Sequence, residues 1–265
     1  NPDTEMLVTV GVSEGLDLAM RAIINQGDEV IISDPAYVAY ASAVILADGV
    51  PVPVPTYESN NFALEAKDVE KYITKKTRAI LIGYPSNPTG AVMSKEQLTA
   101  IAKLAQKNNL IVVSDEIYAK LVYGVNHTCI ASLPGMKDHT ILLNGFSKAF
   151  AMTGWRIGYA CAPKEIIAAM TKIHQYSMMC VSTMGQMAAV EALRNGANSV
   201  QEMVDDYSRR RLVIVNGLRV IGLSCFEPKG AFYAFPSIKC TGMTSEVFAE
   251  KLLMEEKVAA VPGSA

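Results

Sequence analysis

The chain has 265 residues, half of them hydrophobic, with a net charge of −2 at pH 7 and a pI near 6.0. This length suffices for one large core, or for a large domain with part of a second. The near-neutral charge, without a long basic block, argues against a nucleic-acid partner. No apolar run reaches membrane-spanning length, so no membrane association is predicted.

The cysteines and histidines point away from metal and disulfide chemistry. The five cysteines are far apart and odd in number, no CxxC motif occurs, and the three histidines do not cluster with them. We therefore predict no metal site and no disulfide framework. Reduced thiols, together with an N-terminus that lacks a secretory signal pattern, predict a cytoplasmic protein.

The first part of the chain alternates apolar strands with amphipathic helices. Strands are predicted at residues 6–10, 29–33, 79–84, 110–116, 140–146 and 156–162, with a proline-restricted edge strand at 50–54. Helices are predicted from an N-cap at Ser13 to Gly27, and at 37–48, 64–74 and 94–108, the last beginning with a Ser94–Gln97 capping box. Uninterrupted apolar strands between such helices predict an α/β fold, in which a mainly parallel mixed sheet is covered by helices on both faces.

The character of the sequence changes after Pro163. Helices are predicted at 164–176, 183–194 and 199–221, followed by a strand at 230–236, a helix at 245–256 and a final strand at 258–263. We interpret residues 1–198 as a large domain, and residues 199–265 as a linking helix with part of a smaller α+β domain. The chain opens almost directly in a strand and stops after a turn, so we expect a fragment of a longer enzyme.

The segment NGFSKAFAMTGWRIGY at 144–159 is the most informative stretch. It places Lys148 between an apolar run and a tight, glycine-containing turn, where a buried amine would be favoured over an ammonium ion and could attack a carbonyl. Arg156 offers a planar guanidinium that suits a phosphate. Together they suggest a phosphorylated aldehyde bound as a Schiff base, although a lone Ser-Lys pair is more often a solvated loop.

Further candidates fall at the carboxyl ends of the predicted strands, where parallel sheets bind their ligands. Asp115 could pair with a pyridine nitrogen or form a buried ion pair, and Tyr118 could donate to a ring oxygen or be ordinary core. Asn87 in SNPTG could act as an amide donor or serve turn chemistry alone. Tyr37 could stack on a ring or merely start a helix. Gly11, Val12 and Ser13 open a helix whose free N–H groups favour a phosphate, or are simply a cap.

In this order and spacing, these residues resemble the class I/II pyridoxal-phosphate-dependent aminotransferases of the aspartate aminotransferase fold, over essentially the whole chain. FSKAFAMTGWRIGYACAP at 146–163 is similar to the bacterial and archaeal branch that includes aspartate, aromatic and N-acetyl-diaminopimelate aminotransferases. The resemblance implies pyridoxal 5'-phosphate as the cofactor. It also implies a homodimer, with an N-terminal arm before Asn1 and the substrate-carboxylate arginine beyond residue 265.

The resemblance assigns a role to each motif residue. Its phosphate site corresponds to Gly11, Val12, Ser13 and Arg156. Its ring site corresponds to Tyr37 as the stacking aromatic, Asn87 and Tyr118 at the ring oxygen, Asp115 at the ring nitrogen and Lys148 as the Schiff-base lysine. Many relatives also carry a phosphate-binding serine three residues before the lysine. Gly145 stands there, so we expect Ser147 or backbone groups to compensate.

The function implied is transamination between an amino acid and a 2-oxo acid, 2-oxoglutarate in most relatives. Lys148 would act as the catalytic base, supported by Asp115 and Tyr118. The amino acid could be aromatic, dicarboxylic or N-acetyl-diaminopimelate. Alternatives are a carbon–sulfur β-lyase or cyclopropane-carboxylate synthase on the same fold, or a non-catalytic regulatory module. A Rossmann-type nucleotide enzyme is disfavoured because no GxGxxG follows the first strand.

Overall fold

A seven-stranded mixed sheet forms the centre of the molecule, in a computed structural model that describes all residues 1–265. The strands are β1 (Met6–Thr9), β2 (Glu29–Asp34), β3 (Val50–Pro55), β4 (Thr77–Gly83), β5 (Ile111–Asp115), β6 (Thr140–Gly145) and β7 (Gly158–Cys161). Their order is β1-β7-β6-β5-β4-β2-β3. The pairs from β3 to β6 are parallel, whereas β7 runs antiparallel to both neighbours. The predicted fold class is confirmed, and the proline-rich β3 lies at the predicted edge.

Helices cover both faces of this sheet. They are α1 (Gly11–Ile23), α2 (Ala39–Leu46), α3 (Ala66–Val69), α4 (Lys95–Lys107), α5 (Lys164–Ser177), α6 (Thr183–Asn195), α7 (Ala197–Val220) and α8 (Ser245–Glu256). Two apolar cores of 20 buried residues each lie on opposite faces, one under α1, α2 and α5 and the other under α4. Val30 and Leu81 enter the first core, while their chain neighbours Ile31 and Ile80 enter the second. Because side chains alternate along a strand, a strand buried on both faces is apolar throughout.

Two helix starts are defined in different ways. The capping box predicted for α4 is confirmed, since the Ser94 hydroxyl accepts from the Gln97 N–H and the Gln97 side chain accepts from the Ser94 N–H. The N-cap predicted at Ser13 is wrong, because α1 begins two residues earlier, at Gly11. The carboxylate of Glu14 accepts instead from the Val10 N–H at 2.6 Å. The predicted helix end is also wrong, since α1 ends at Ile23 rather than Gly27.

The C-terminal region is less regular than predicted. Strands β8 (Ser224–Cys225) and β9 (Pro236–Ser237) form a two-residue antiparallel pair, and α8 matches its predicted span. The strand predicted at 230–236 is wrong: only Gly230 pairs in that stretch before β9, in an isolated bridge to Val122. The final strand at 258–263 is also wrong, because these residues have no strand partner and Val258 and Val261 are exposed. An apolar run forms a strand only where it can pair with the edge of a neighbouring strand, and these two segments have no such neighbour over most of their length.

No helix combines the length and the apolar character required to cross a bilayer. Helix α7 illustrates this, since it is the longest helix and carries the charged segment at 205–211. Asp206 pairs there with Arg209 and Arg210. These exposed pairs have the i,i+3 and i,i+4 spacings that are usual on a solvated helix face.

Candidate active site

One cavity of about 230 Å³ lies at the carboxyl ends of the parallel strands. Asp115 is the last residue of β5, Asn87 follows β4, and Lys148 follows β6. Nine of the ten predicted site residues line the cavity: Val12, Ser13, Tyr37, Asn87, Asp115, Tyr118, Ser147, Lys148 and Arg156. Gly11, the tenth, lies directly under the Arg156 side chain. The structure therefore brings residues separated by more than a hundred positions into one site.

Asp115 provides a buried carboxyl group in the cavity. It accepts hydrogen bonds from the Tyr40 hydroxyl at 2.9 Å and from the Ile117 N–H at 3.1 Å. Burial raises the pKa of Asp115 to about 6, against the opposing effect of these hydrogen bonds and of the Lys148 charge. Asp115 forms no ion pair within the chain, so its carboxylate is suited to pair with a cationic ring nitrogen.

Tyr40 is a site residue that the sequence analysis missed. It is buried, lines the cavity, and donates a hydrogen bond from its phenol hydroxyl to Asp115. Burial, followed by the charge of Asp115, raises the pKa of Tyr40 well above its usual value, so the phenol stays a donor. A Cβ atom at Gly83 would overlap the Tyr40 hydroxyl. The signal for Tyr40 in the sequence was its spacing of three residues from Tyr37. The two rings meet edge-on, with their centroids 5.6 Å apart.

The start of α1 and Arg156 form a cradle with room for an anion. Gly11 has φ +71°, which favours glycine, and a Cβ atom there would lie 2.6 Å from Arg156 Nη2 and would displace the guanidinium. Arg156 itself has φ +56°, and its Nη1 donates to the Thr153 carbonyl at 2.8 Å, which holds the guanidinium over Gly11. The first N–H groups of a helix have no intrahelical partners. This combination fits a phosphate group.

Thr153 is a second lining residue that the motif analysis did not single out. Its hydroxyl donates to the Ser147 carbonyl at 2.7 Å, and its own carbonyl accepts from Arg156. It therefore ties the two ends of the segment 147–156 together. Ser147 is buried and lines the cavity.

The structure explains why glycine stands at position 145. Gly145 in β6 is paired with Gly158 in β7. A Cβ atom at Gly145 would lie 2.8 Å from the Ile157 carbonyl oxygen and 2.9 Å from the Gly158 Cα. A serine side chain has no space there, so any phosphate contact on this side must come from Ser147 or from backbone groups.

The Lys148 amine lies among aromatic rings. The residue is half-buried, and its Nζ is 5.5 Å from the ring centroid of Phe232 and 6.0 Å from that of Tyr118. Aromatic faces attract a cationic amine without forming an ion pair with it. The amine is therefore held in the site but remains available for chemistry.

Tyr118 is paired with a residue from the C-terminal region. The hydroxyl groups of Tyr118 and Tyr233 are 2.5 Å apart, and both side chains line the cavity. Burial raises the pKa of Tyr118. Tyr233 was missed because its segment was predicted to be a strand, and no periodicity indicates which loop it meets.

No group of three or more histidine, cysteine, aspartate or glutamate side chains is arranged to hold a metal ion. The titratable groups of the cavity are instead Asp115, three tyrosines with raised pKa values (Tyr40, Tyr118 and Tyr233), Tyr37, Lys148 and Arg156. This donor set matches a phosphorylated aromatic cofactor.

Comparisons with known proteins agree with this geometry. Residues 1–265 match the family model described as aminotransferase class I and II. The chain is 57% identical over 264 residues to YugH of Bacillus subtilis, covering 100% of the chain and 68% of that protein. It is 49% identical over 268 residues to an aspartate aminotransferase of Pyrococcus abyssi, with 100% and 69% covered. The solved structure of an aromatic aminotransferase from Pyrococcus horikoshii superposes with a TM-score of 0.98 at 47% identity, with 100% and 72% covered.

Proposed function

The chain belongs to the class I and II aminotransferases, and from this premise we propose that its cavity holds pyridoxal 5'-phosphate between Asp115, Lys148 and Arg156. The enzyme is a pyridoxal-phosphate-dependent transaminase that moves an amino group from an amino acid to a 2-oxo acid. The observation that carries the residue assignment is the convergence of a buried carboxyl, an amine and an anion cradle in one cavity.

Each end of the cofactor has a suitable partner in this chain. The cradle of Gly11, Val12, Ser13 and Arg156 would hold the phosphate, with Ser147 beside it. Asp115 would hold a proton on the ring nitrogen, since it is a buried carboxylate that lacks a cationic partner.

The remaining lining residues would hold the ring itself. Tyr37 would pack on its face, while Asn87 and Tyr118 would donate to the ring oxygen. Tyr118 keeps its phenol proton because burial raises its pKa.

The chemistry then divides between cofactor and protein. When bound, pyridoxal phosphate withdraws electrons from the α-carbon of the substrate whose amine it carries. Lys148 would hold the cofactor through its Nζ, give way to the substrate amine, and then take the proton from the substrate α-carbon. Asp115 and Tyr118 would fix the charge distribution on the ring during that proton transfer. The aromatic side chains around Lys148 would limit the access of water to its amine.

We propose 2-oxoglutarate as the amino-group acceptor and a homodimer as the working assembly, on the ground of family resemblance. The amino-group donor is proposed to be aromatic or dicarboxylic, with N-acetyl-diaminopimelate as the third candidate. The boundary between the large domain and the partial small domain is proposed at residues 198/199, close to the start of α7 at Ala197.

The assignment of Lys148 is tested by reduction. The chain is mixed with pyridoxal 5'-phosphate, treated with borohydride, and digested for peptide mapping. The covalent adduct is expected on Lys148, and Lys148→Ala should lose both the adduct and turnover. Lys120→Ala is the matched control, because Lys120 is an exposed lysine two residues after Tyr118. An adduct that survives in Lys148→Ala, or normal turnover by that variant, would refute the assignment.

The reaction type is tested by product analysis. Transamination produces a 2-oxo acid and a new amino acid in equal amounts, whereas a β-lyase releases pyruvate and ammonia. Ammonia release without amino-group transfer would move the enzyme to the lyase alternative.

A further inference from the structure

Residues 227–233, here called the strap, join the C-terminal region to the rim of the cavity. On one side the strap contacts the turn that carries Asn87. The N–H groups of Lys229 and Gly230 both donate to the Gly90 carbonyl at 2.9 Å. A Cβ atom at Gly90 would overlap Pro228. The two backbones are therefore packed without a side chain between them, and the Asn87 turn and the strap form one unit.

On its other side the strap contacts the loop that follows Tyr118. The Ala231 N–H donates to the Leu121 carbonyl and the Tyr123 N–H donates to the Lys229 carbonyl, both at 2.9 Å. The Tyr123 hydroxyl also donates to the Ala231 carbonyl, and burial raises the pKa of Tyr123 to about 12, so this donor keeps its proton. The strap thus bonds to both loops that supply ring-oxygen donors, one carrying Asn87 and the other Tyr118.

A charged side chain fixes the start of the strap. Arg211 on α7 donates to the Pro228 carbonyl at 2.8 Å and pairs with Glu227 at 3.3 Å. Its guanidinium also lies 5.0 Å from the ring centroid of Tyr123. The strap therefore enters the site along a defined path, which brings Tyr233 into the cavity and Phe232 close to the Lys148 amine.

We propose that Tyr233 is a positioning residue for transamination, which acts through its hydroxyl bond to Tyr118 and directs the Tyr118 proton into the cavity. The two phenol oxygens are 2.5 Å apart, and the rings meet edge-on with centroids 5.7 Å apart. A phenol has one proton to donate but can accept as well. Either phenol can therefore be the donor of this bond. When a group in the cavity accepts from Tyr118, Tyr233 is the donor to Tyr118, and Tyr118 keeps its own proton for that group.

This arrangement strengthens the donation by Tyr118. A hydroxyl that accepts one hydrogen bond becomes a better donor in the next, particularly in a buried site. The inference rests on the proposed function in one respect, namely that Tyr118 donates to the ring oxygen of the cofactor. Removing the Tyr233 hydroxyl should then weaken the stabilisation of the deprotonated form of the bound chromophore.

The test is an absorbance titration of the chain loaded with pyridoxal 5'-phosphate. Tyr233→Phe removes one hydroxyl and keeps the ring. We expect the pH at which the bound-cofactor spectrum changes to rise by about 0.5 to 1 unit, the size of one hydrogen bond expressed as a pKa change. Tyr118→Phe should raise it further. Tyr207→Phe is the matched control, because the Tyr207 ring packs on Phe232 at 5.5 Å but makes no bond to either phenol.

The double variant separates the inference from the function on which it rests. If Tyr233 acts through Tyr118, adding Tyr233→Phe to Tyr118→Phe should shift the titration no further. A full second shift in the double variant, or an unshifted Tyr233→Phe, overturns the proposal for Tyr233 while leaving the role of Tyr118 intact. An unshifted Tyr118→Phe overturns both.

Discussion

The two sides of the cavity are built by different means. The sheet side takes Asp115, Lys148 and Arg156 from strand ends and from the loop between β6 and β7, above two continuous apolar cores. The strap side takes Tyr233 from an irregular segment that is held by backbone hydrogen bonds. Helix α1, under the sheet side, buries seven of its 13 residues, whereas α7 buries two of its 24. The charged groups of the site therefore lie on the well-packed side of the cavity, and the Tyr233 hydroxyl lies on the less well-packed side.

The largest effect expected on the sheet side concerns Asp115 in the cofactor-free chain. Its pKa is raised from 3.8 to about 6, so the folded chain binds this proton more tightly than the unfolded chain. Its contribution to the free energy of unfolding is therefore greatest below pH 3.8 and is lost as the pH rises through about 6. Two units correspond to about 3 kcal/mol.

Urea unfolding of the wild type and of Asp115→Asn measures this contribution. The difference between them should change by about 2.5 kcal/mol in favour of the variant from about pH 4 to about pH 7.5. Asp34→Asn, an exposed carboxyl at the end of β2, is the control and should show no comparable change. Parallel pH profiles for wild type and Asp115→Asn would contradict the prediction.

A smaller effect is expected at the anion cradle. Gly11→Ala places a methyl group 2.6 Å from Arg156 Nη2, so the guanidinium must move. Loss of a charge-assisted contact should weaken cofactor binding about 10- to 100-fold in a spectroscopic titration. Gly27→Ala is the control, since Gly27 has a similar φ of +82° but open space around it. An equal loss of cofactor affinity in Gly11→Ala and Gly27→Ala would show that backbone strain, and not displacement of Arg156, weakens cofactor binding.

The strap side can be perturbed at its contact with the Asn87 turn. Gly90→Ala places a methyl group on Pro228 and should destabilise the chain by about 2 kcal/mol through overpacking. It should also increase proteolytic cleavage within residues 227–233. Gly124→Ala, with φ +68° and nothing within 4 Å, carries the same backbone strain alone. If both variants are cleaved equally, the strap is not held by this contact.

The smallest effect is expected on the solvated face of α7. Asp206→Ala removes the ion pairs with Arg209 and Arg210, which are largely exposed. Exposed pairs contribute little, so the thermal midpoint should change by an amount equivalent to less than about 0.5 kcal/mol. A larger loss would mean that α7 depends on its surface charges more than on its packing.

The sequence predicts the sheet side well because its signals are local. Apolar runs identify β2, β4, β5 and β6, and the Ser94–Gln97 spacing identifies the start of α4. Asp115 and Lys148 could be located because each follows such a run. The sequence does not reveal Tyr40, because its place in the site depends on a hydrogen bond to Asp115, which lies 75 positions away in the chain.

The strap side resists prediction for a physical reason. The segment 230–236 has strand-like composition, but its hydrogen bonds go to Gly90 and Leu121 in two different loops rather than to one strand. Strand propensity reflects a fit to neighbouring strands, and residues 230–235 have no strand beside them. The pairing of Tyr233 with Tyr118 is likewise invisible in the order of residues.

The beginning of α1 illustrates how a helix can be closed without using up its binding capacity. Glu14 reaches back to the Val10 N–H, outside the helix, while His174 holds its other oxygen at 2.7 Å. A serine cap would instead have occupied an N–H inside the first turn. Ser13 is thereby freed from capping, and the cap takes no N–H from within the first turn. The helix end is thus preorganised as a receptor for negative charge.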